Sequence, residues 1–89
     1  MQSSILASLI TYHRKRAQLT QTELARHAGV SRFVVQDIEA GRERTTWRNL
    51  SAVLEVLNLR LEPAGPLVQE WRQLQADNAS TQLSEEPKV

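Results

Sequence analysis

Eighty-nine residues with a net charge of +1 and no cysteine fit one small domain and exclude disulfides and thiolate metal sites. No apolar run approaches the roughly 20 residues that span a bilayer. The N-terminus has no basic stretch followed by an apolar run and a small-residue cleavage site, so a cytoplasmic, nucleoid-associated protein is expected. The charge is unevenly spread. Residues 1–50 hold eight basic side chains (Arg14, Lys15, Arg16, Arg26, Arg32, Arg42, Arg44, Arg48) against four acids (Glu23, Asp37, Glu39, Glu43), a balance of +4. Residues 63–89 hold Arg72 and Lys88 against Glu70, Asp77, Glu85 and Glu86, a balance of −2. The basic front half suits a phosphate partner, and the acidic end suits a different one.

In chain order, Ser4 to about Ala17 is expected to be a helix. Ile5, Leu6, Leu9 and Ile10 form its apolar stripe, and Arg14, Lys15 and Arg16 sit at the negative end of its dipole. Thr20-Gln21-Thr22-Glu23 has the spacing of a capping box, so a second helix starts after Thr20 and ends at Gly29. Ser31 caps a third helix, with Val35 and Ile38 turned inward and Gly41 as its stop. A fourth starts after Thr45 or Thr46, and Leu50, Val53, Leu54 and Leu57 follow the i, i+3, i+4, i+7 pattern. Leu59-Arg60-Leu61-Glu62 then alternates as a short strand, stopped by Pro63, with no partner strand in the chain. Pro63-Ala64-Gly65-Pro66 is a hinge. Leu67, Trp71 and Leu74 share one face of a short amphipathic helix, and from Ala76 the small, polar and acidic composition predicts disorder.

Two short helices separated by about three residues around Gly29, with small Ala25 at their close approach, are the construction of a DNA-binding helix-turn-helix. The second of the two enters the major groove. Leu19-Thr20-Gln21-Thr22-Glu23-Leu24-Ala25, Ala28-Gly29-Val30-Ser31 and Ile38-Glu39-Ala40-Gly41 resemble the Cro/phage-repressor (XRE) family from about residue 5 to 57. That resemblance implies that Gln21 opens the second helix and touches DNA, and that Arg14 pairs with Glu39. A narrower stretch, Thr45-Thr46-Trp47 through Leu57-Asn58-Leu59-Arg60-Leu61-Glu62-Pro63, is similar to HipB-type antitoxins. Those repress their own operon and neutralise a HipA-type kinase toxin. The likeness implies a strand that pairs with its copy in a homodimer.

Several side chains have two readings each. Arg32, just inside the third helix, is placed to fork onto guanine O6 and N7, or to hold a phosphate. Phe33 has a thymine methyl or the start of the second helix as its neighbour. Gln36 and Asp37 lie near the groove; an aspartate there either tunes specificity or neighbours an arginine. Gln21 and Thr22, with Ser31, stand at helix N-termini that suit phosphate, whereas Thr20 serves as a cap. Arg42, Arg44 and Arg48 follow the recognition helix as backbone contacts or solvated residues. His13 and His27 have no ligand partners at metal spacing, and no nucleophile, acid pair or phosphate loop supports catalysis or a cofactor.

The expectation is an all-α, repressor-like helix-turn-helix bundle of four to five helices with one short C-terminal strand pairing across a dimer. Residues 1–63 bind DNA and dimerise through Val53, Leu57, Leu59 and Leu61. Residues 64–75 are a hinge and short helix whose Leu67, Trp71 and Leu74 either fold back or bind a toxin, and 76–89 are an acidic tail. The partners are operator DNA, a second copy and a HipA-type kinase toxin, with no membrane. The alternatives are a stand-alone phage-type or restriction-controller repressor, and a protein-binding adaptor that has lost DNA binding.

Overall fold

The structure, a computed structural model, describes residues 3–85 and consists of five helices: α1 (Ser3–Arg16), α2 (Gln21–Ala28), α3 (Arg32–Glu39), α4 (Trp47–Val56) and α5 (Val68–Glu85). The first four pack around one core. Ile10, Leu24, Val35 and Val53, one from each helix, are fully buried, and Ala25, Ile38, Leu50 and Leu54 complete the cluster. Contacts run from α3 to α1, α2 and α4, so the third helix is gripped on three sides.

Helices of 8 to 14 residues are marginal on their own, and they hold here through packing and capped ends. The capping box of α2 is closed: Glu23 N–H donates to Thr20 Oγ1 at 3.0 Å, and Thr20 N–H donates to Glu23 Oε1 at 2.9 Å. Ser31 accepts from Val34 N–H at the start of α3, and Thr46, rather than Thr45, accepts from Asn49 N–H at the start of α4. All four C-termini end in the same left-handed turn. Gly29 (φ 72°) and Gly41 (φ 76°) form two of them, as expected, while Gln18 (φ 59°) and Asn58 (φ 57°) form the others. In each, the left-handed residue donates three positions back and the next residue five back, as in Asn58 N–H to Glu55 O and Leu59 N–H to Leu54 O.

Four expectations need correction. Ile5 is 60% exposed, because it lies about 140° round α1 from Ile10; the inward stripe is Leu6, Ala7 and Ile10. Val53 is enclosed by its own chain's core, so it has no surface open to a second copy. Leu59–Glu62 is not a strand among the described residues, since a ladder needs a second strand and this chain supplies none. Its alternation survives, with Leu59 and Leu61 packed on the core and Arg60 and Glu62 exposed. Finally, the last helix does not stop near 75 but runs to Glu85; residues 86–89 of the expected tail lie outside the described residues. Between Val68 and Glu85 there is no Gly or Pro, and Gln, Glu, Ala and Leu are good helix formers.

α5 projects from the body. Residues 69–79 are all exposed, and the radius of gyration of 17.4 Å exceeds the ~12 Å of a compact chain of this length. Arg72 Nη2 donates to the Pro63 carbonyl at 3.3 Å, which ties the second turn of α5 to the hinge.

A left-handed residue with a Cβ is strained by about 1 kcal/mol, and glycine removes that strain at the expense of a more flexible unfolded chain. Gln18→Gly is therefore expected to raise Tm by a few degrees in thermal unfolding followed by circular dichroism. Gly29→Ala, whose Cβ would meet open space, should lower it through backbone strain alone. A fall in Tm for Gln18→Gly would show that the glutamine side chain itself supports the turn.

Candidate nucleic-acid interface

The turn Gly29–Ser31 sets α3 across α2, with Ala25 (3% exposed) filling the close approach. Val35 and Ile38 anchor the inner face of α3 in the core. Its outer face starts with Arg32 and Phe33, continues to half-buried Gln36, and is open to solvent. The Arg32 guanidinium lies over the Phe33 ring, 5.7 Å from its centroid. Phe33 is 67% exposed, so it does not pack against the start of α2. An arginine with its aromatic neighbour at the first turn of a rigidly held helix offers five N–H donors and an apolar face to a groove.

The orientation of that helix is fixed by one carboxylate. Glu39, in the last turn of α3, accepts from Arg14 Nε at 2.6 Å and Arg14 Nη2 at 3.0 Å in a bidentate fork. Arg14 Nη1 also donates to the Leu19 carbonyl at 2.8 Å. Gln21 Nε2 donates to Glu39 Oε1 at 3.1 Å, so the side chain expected to touch DNA also braces α3. The paired side chains are only 12% and 7% exposed. Burial pushes the Glu39 carboxyl up, but the bonds from Arg14 and Gln21, the arginine charge and the Thr11 hydroxyl outweigh it, so its pKa lies below the ordinary 4.5.

Thr22 is exposed at the first turn of α2, and Ser31 combines exposure with its role as cap. Beyond α3, Arg42 Nη1 and Arg44 Nη2 both donate to Asp37 Oδ1, at 3.1 and 3.3 Å. Arg48 is exposed in the first turn of α4. Gln21, Thr22, Ser31, Arg32, Phe33, Gln36, Arg42 and Arg44 thus all lie on α2, α3 and the loop that follows. Asp37 has the arginine neighbour of one of its two readings, and in fact has two, Arg42 and Arg44, whereas the Gln21–Glu39 bond had no sequence signal. A second feature was missed: Trp47 is 67% exposed and lines, with Leu54, Leu59 and Leu61, a groove of about 340 Å³. Its seven-residue spacing from Leu54, one face of α4, was the available clue. Among the described residues, no group of three His, Asp or Glu side chains is placed to hold a metal ion, and no helix is long and apolar enough to cross a membrane.

Residues 5–64 match the family model described as a helix-turn-helix domain. A protein of Bacillus phage phi105, the "ImmF control region 10 kDa protein", is 41% identical over 56 residues. The aligned stretch covers 63% of this chain and 62% of the phage protein, so the chain spans less than two thirds of that relative.

Since the Glu39 carboxyl is more acidic in the folded protein than in the unfolded chain, its contribution is present above the unfolded pKa and is lost as the pH falls through the lower, folded one. Glu39→Gln should lower stability at neutral pH by about 2–3 kcal/mol, between the worth of an exposed pair and the loss of one partner of a fully buried pair. Denaturant titrations at pH 7 and at pH 3 should show the gap between wild type and variant narrowing in acid. A gap independent of pH would show that the carboxylate charge contributes nothing.

Proposed function

We propose that this chain, which belongs to the helix-turn-helix domain family, represses transcription by binding a palindromic operator as a homodimer. The carrying observation is the outer face of α3: Arg32 and Phe33 stand free, with Gln36 half-exposed behind them, at a helix whose opposite face and far end are locked to three others. In this reading α3 lies in the major groove, Arg32 forks onto a guanine, and Phe33 meets a thymine methyl. Gln21, Thr22 and Ser31 meet one phosphate strand, and Arg42 and Arg44 the other side of the groove. The phage control-region relative supports a regulatory role.

Palindromy requires a two-fold partner. Leu59–Glu62 runs along the Trp47 groove with no backbone N–H bond beyond that of Leu59 among the described residues, and Leu57, Leu59 and Leu61 are only partly covered. Pairing of this segment with its copy would supply the missing backbone partners and cover Trp47.

A second reading adds a protein partner. Leu67, just before α5, and Trp71 and Leu74 on it are 69%, 48% and 56% exposed and are not buried against the body. With the similarity to HipB-type antitoxins, this supports a role in neutralising a HipA-type kinase toxin through α5. A stand-alone repressor of the phage type leaves that stripe without a purpose.

Arg32→Ala should weaken binding to the tightest duplex recovered by selection from a random library by about 1–3 kcal/mol, and relax preference at one base pair. An unchanged ratio of selected to random affinity in a fluorescence titration would remove Arg32 from base reading. For the partner, Trp71→Ala should reduce affinity for a kinase encoded beside the gene by at least about tenfold and leave duplex binding intact. Equal affinity of wild type and variant would leave the repressor reading standing alone.

A further inference from the structure

The two arginines that follow the recognition helix are not free. Arg42 and Arg44, with side chains 55% and 69% exposed, converge on a single oxygen of Asp37, itself 24% exposed. Arg42 is held twice, because its main-chain N–H also donates to the Asp37 carbonyl at 2.9 Å in the turn formed by Gly41. Two guanidiniums and one carboxylate present a local charge of +1 where two unpaired arginines would present +2. Ion pairs this exposed are weak and exchange readily for another anion. A phosphate that captures either arginine must compete with Asp37 or share the guanidinium with it.

Phosphate capture is the part of binding that every duplex offers equally. Base reading is offered only by the matching site. An anion tied to the phosphate-gripping arginines adds a cost to that capture, and the cost falls hardest on a non-cognate complex, in which α3 is not seated and phosphate is not held where it can replace Asp37. We infer that Asp37 is the specificity-determining residue of this interface: it restrains Arg42 and Arg44 so that they close on phosphate firmly only when α3 is seated on matching bases. The inference rests on the DNA-binding reading above and assigns Asp37 a role other than base contact.

The test is Asp37→Asn, which keeps the side chain's size and leaves the Gly41 turn in place. Affinities for a random-sequence duplex and for the best selected duplex are measured by fluorescence anisotropy from 50 to 300 mM salt. Release of the arginines should strengthen random-duplex binding about fivefold to tenfold near 0.1 M salt and steepen its salt slope by about one, the increment of one added phosphate contact. The selected duplex should gain less, so the ratio of the two affinities falls. In an Arg42→Gln/Arg44→Gln background, Asp37→Asn should have lost most of this effect. An unchanged ratio and slope overturns the inference. So does an equal gain in the background without the arginines, which would make Asp37 a simple through-space repulsion. Failure of the wild type to bind any duplex at 50 mM salt overturns the DNA-binding reading itself, and this inference with it.

Discussion

One carboxylate joins three helices. Glu39 of α3 takes the forked guanidinium of Arg14 from α1 and the amide of Gln21 from α2, and Arg14 reaches on to the Leu19 carbonyl in the link between those two helices. Hydrophobic contacts at Ile10, Leu24 and Val35 press the helices together but are tolerant of small rotations. A bidentate ion pair is not, because each of its N–H···O bonds weakens steeply with angle. The angle at which α3 leaves the body, and so the direction of Arg32 and Phe33, is set by this network together with the core anchors Val35 and Ile38. Glu39 tolerates burial because each of its oxygens has a donor, whereas an unpaired carboxylate there would be protonated instead.

The second constraint is length. α2 and α3 have only eight residues each, too few to persist without external support. The support is divided between side-chain caps at the front, Thr20 and Ser31, and left-handed turns at the back, Gly29 and Gly41. The same caps set the geometry of the site. Ser31's hydroxyl starts α3 at Arg32, and the Gly41 turn returns the chain so that Arg42 comes back beside Asp37.

Features encoded in a few adjacent residues were legible in the sequence. The Thr20–Glu23 box, the Ser31 cap, both glycine stops and the buried faces of α2 to α4 follow from local chemistry and periodicity. The Arg14–Glu39 pair joins residues 25 apart, and only family resemblance pointed to it. Gln18 adopts a conformation that glycine favours with no warning from its type, whereas Asn58 is the residue that takes a helix-ending left-handed turn next most readily after glycine. Val53 fits the apolar pattern of α4 equally well as core or as interface, and periodicity cannot separate two partners on one face. The end of α5 was misjudged because low hydrophobicity reports absence of a core, which is a different property from absence of a helix. Of the candidate site, which side chains stand free at the start of α3 was readable; that Asp37 binds two arginines depends on the geometry of the Gly41 turn, and that Gln21 bonds to Glu39 on how α2 and α3 cross.

α5 differs from the other helices in what holds it. Its 18 residues lie close to the length at which an isolated helix is barely stable in water, and no core supports it. Its stability therefore rests on its own helix–coil equilibrium, separately from the packed α1 to α4. A protease can engage it without waiting for the body to unfold, and its susceptibility follows the population of the open form. Any molecule that covers Leu67, Trp71 and Leu74 would hold the helix closed. An occupant of the stripe would then lengthen the lifetime of this end of the chain, and its removal would expose α5 to degradation while the helix-turn-helix bundle stays folded.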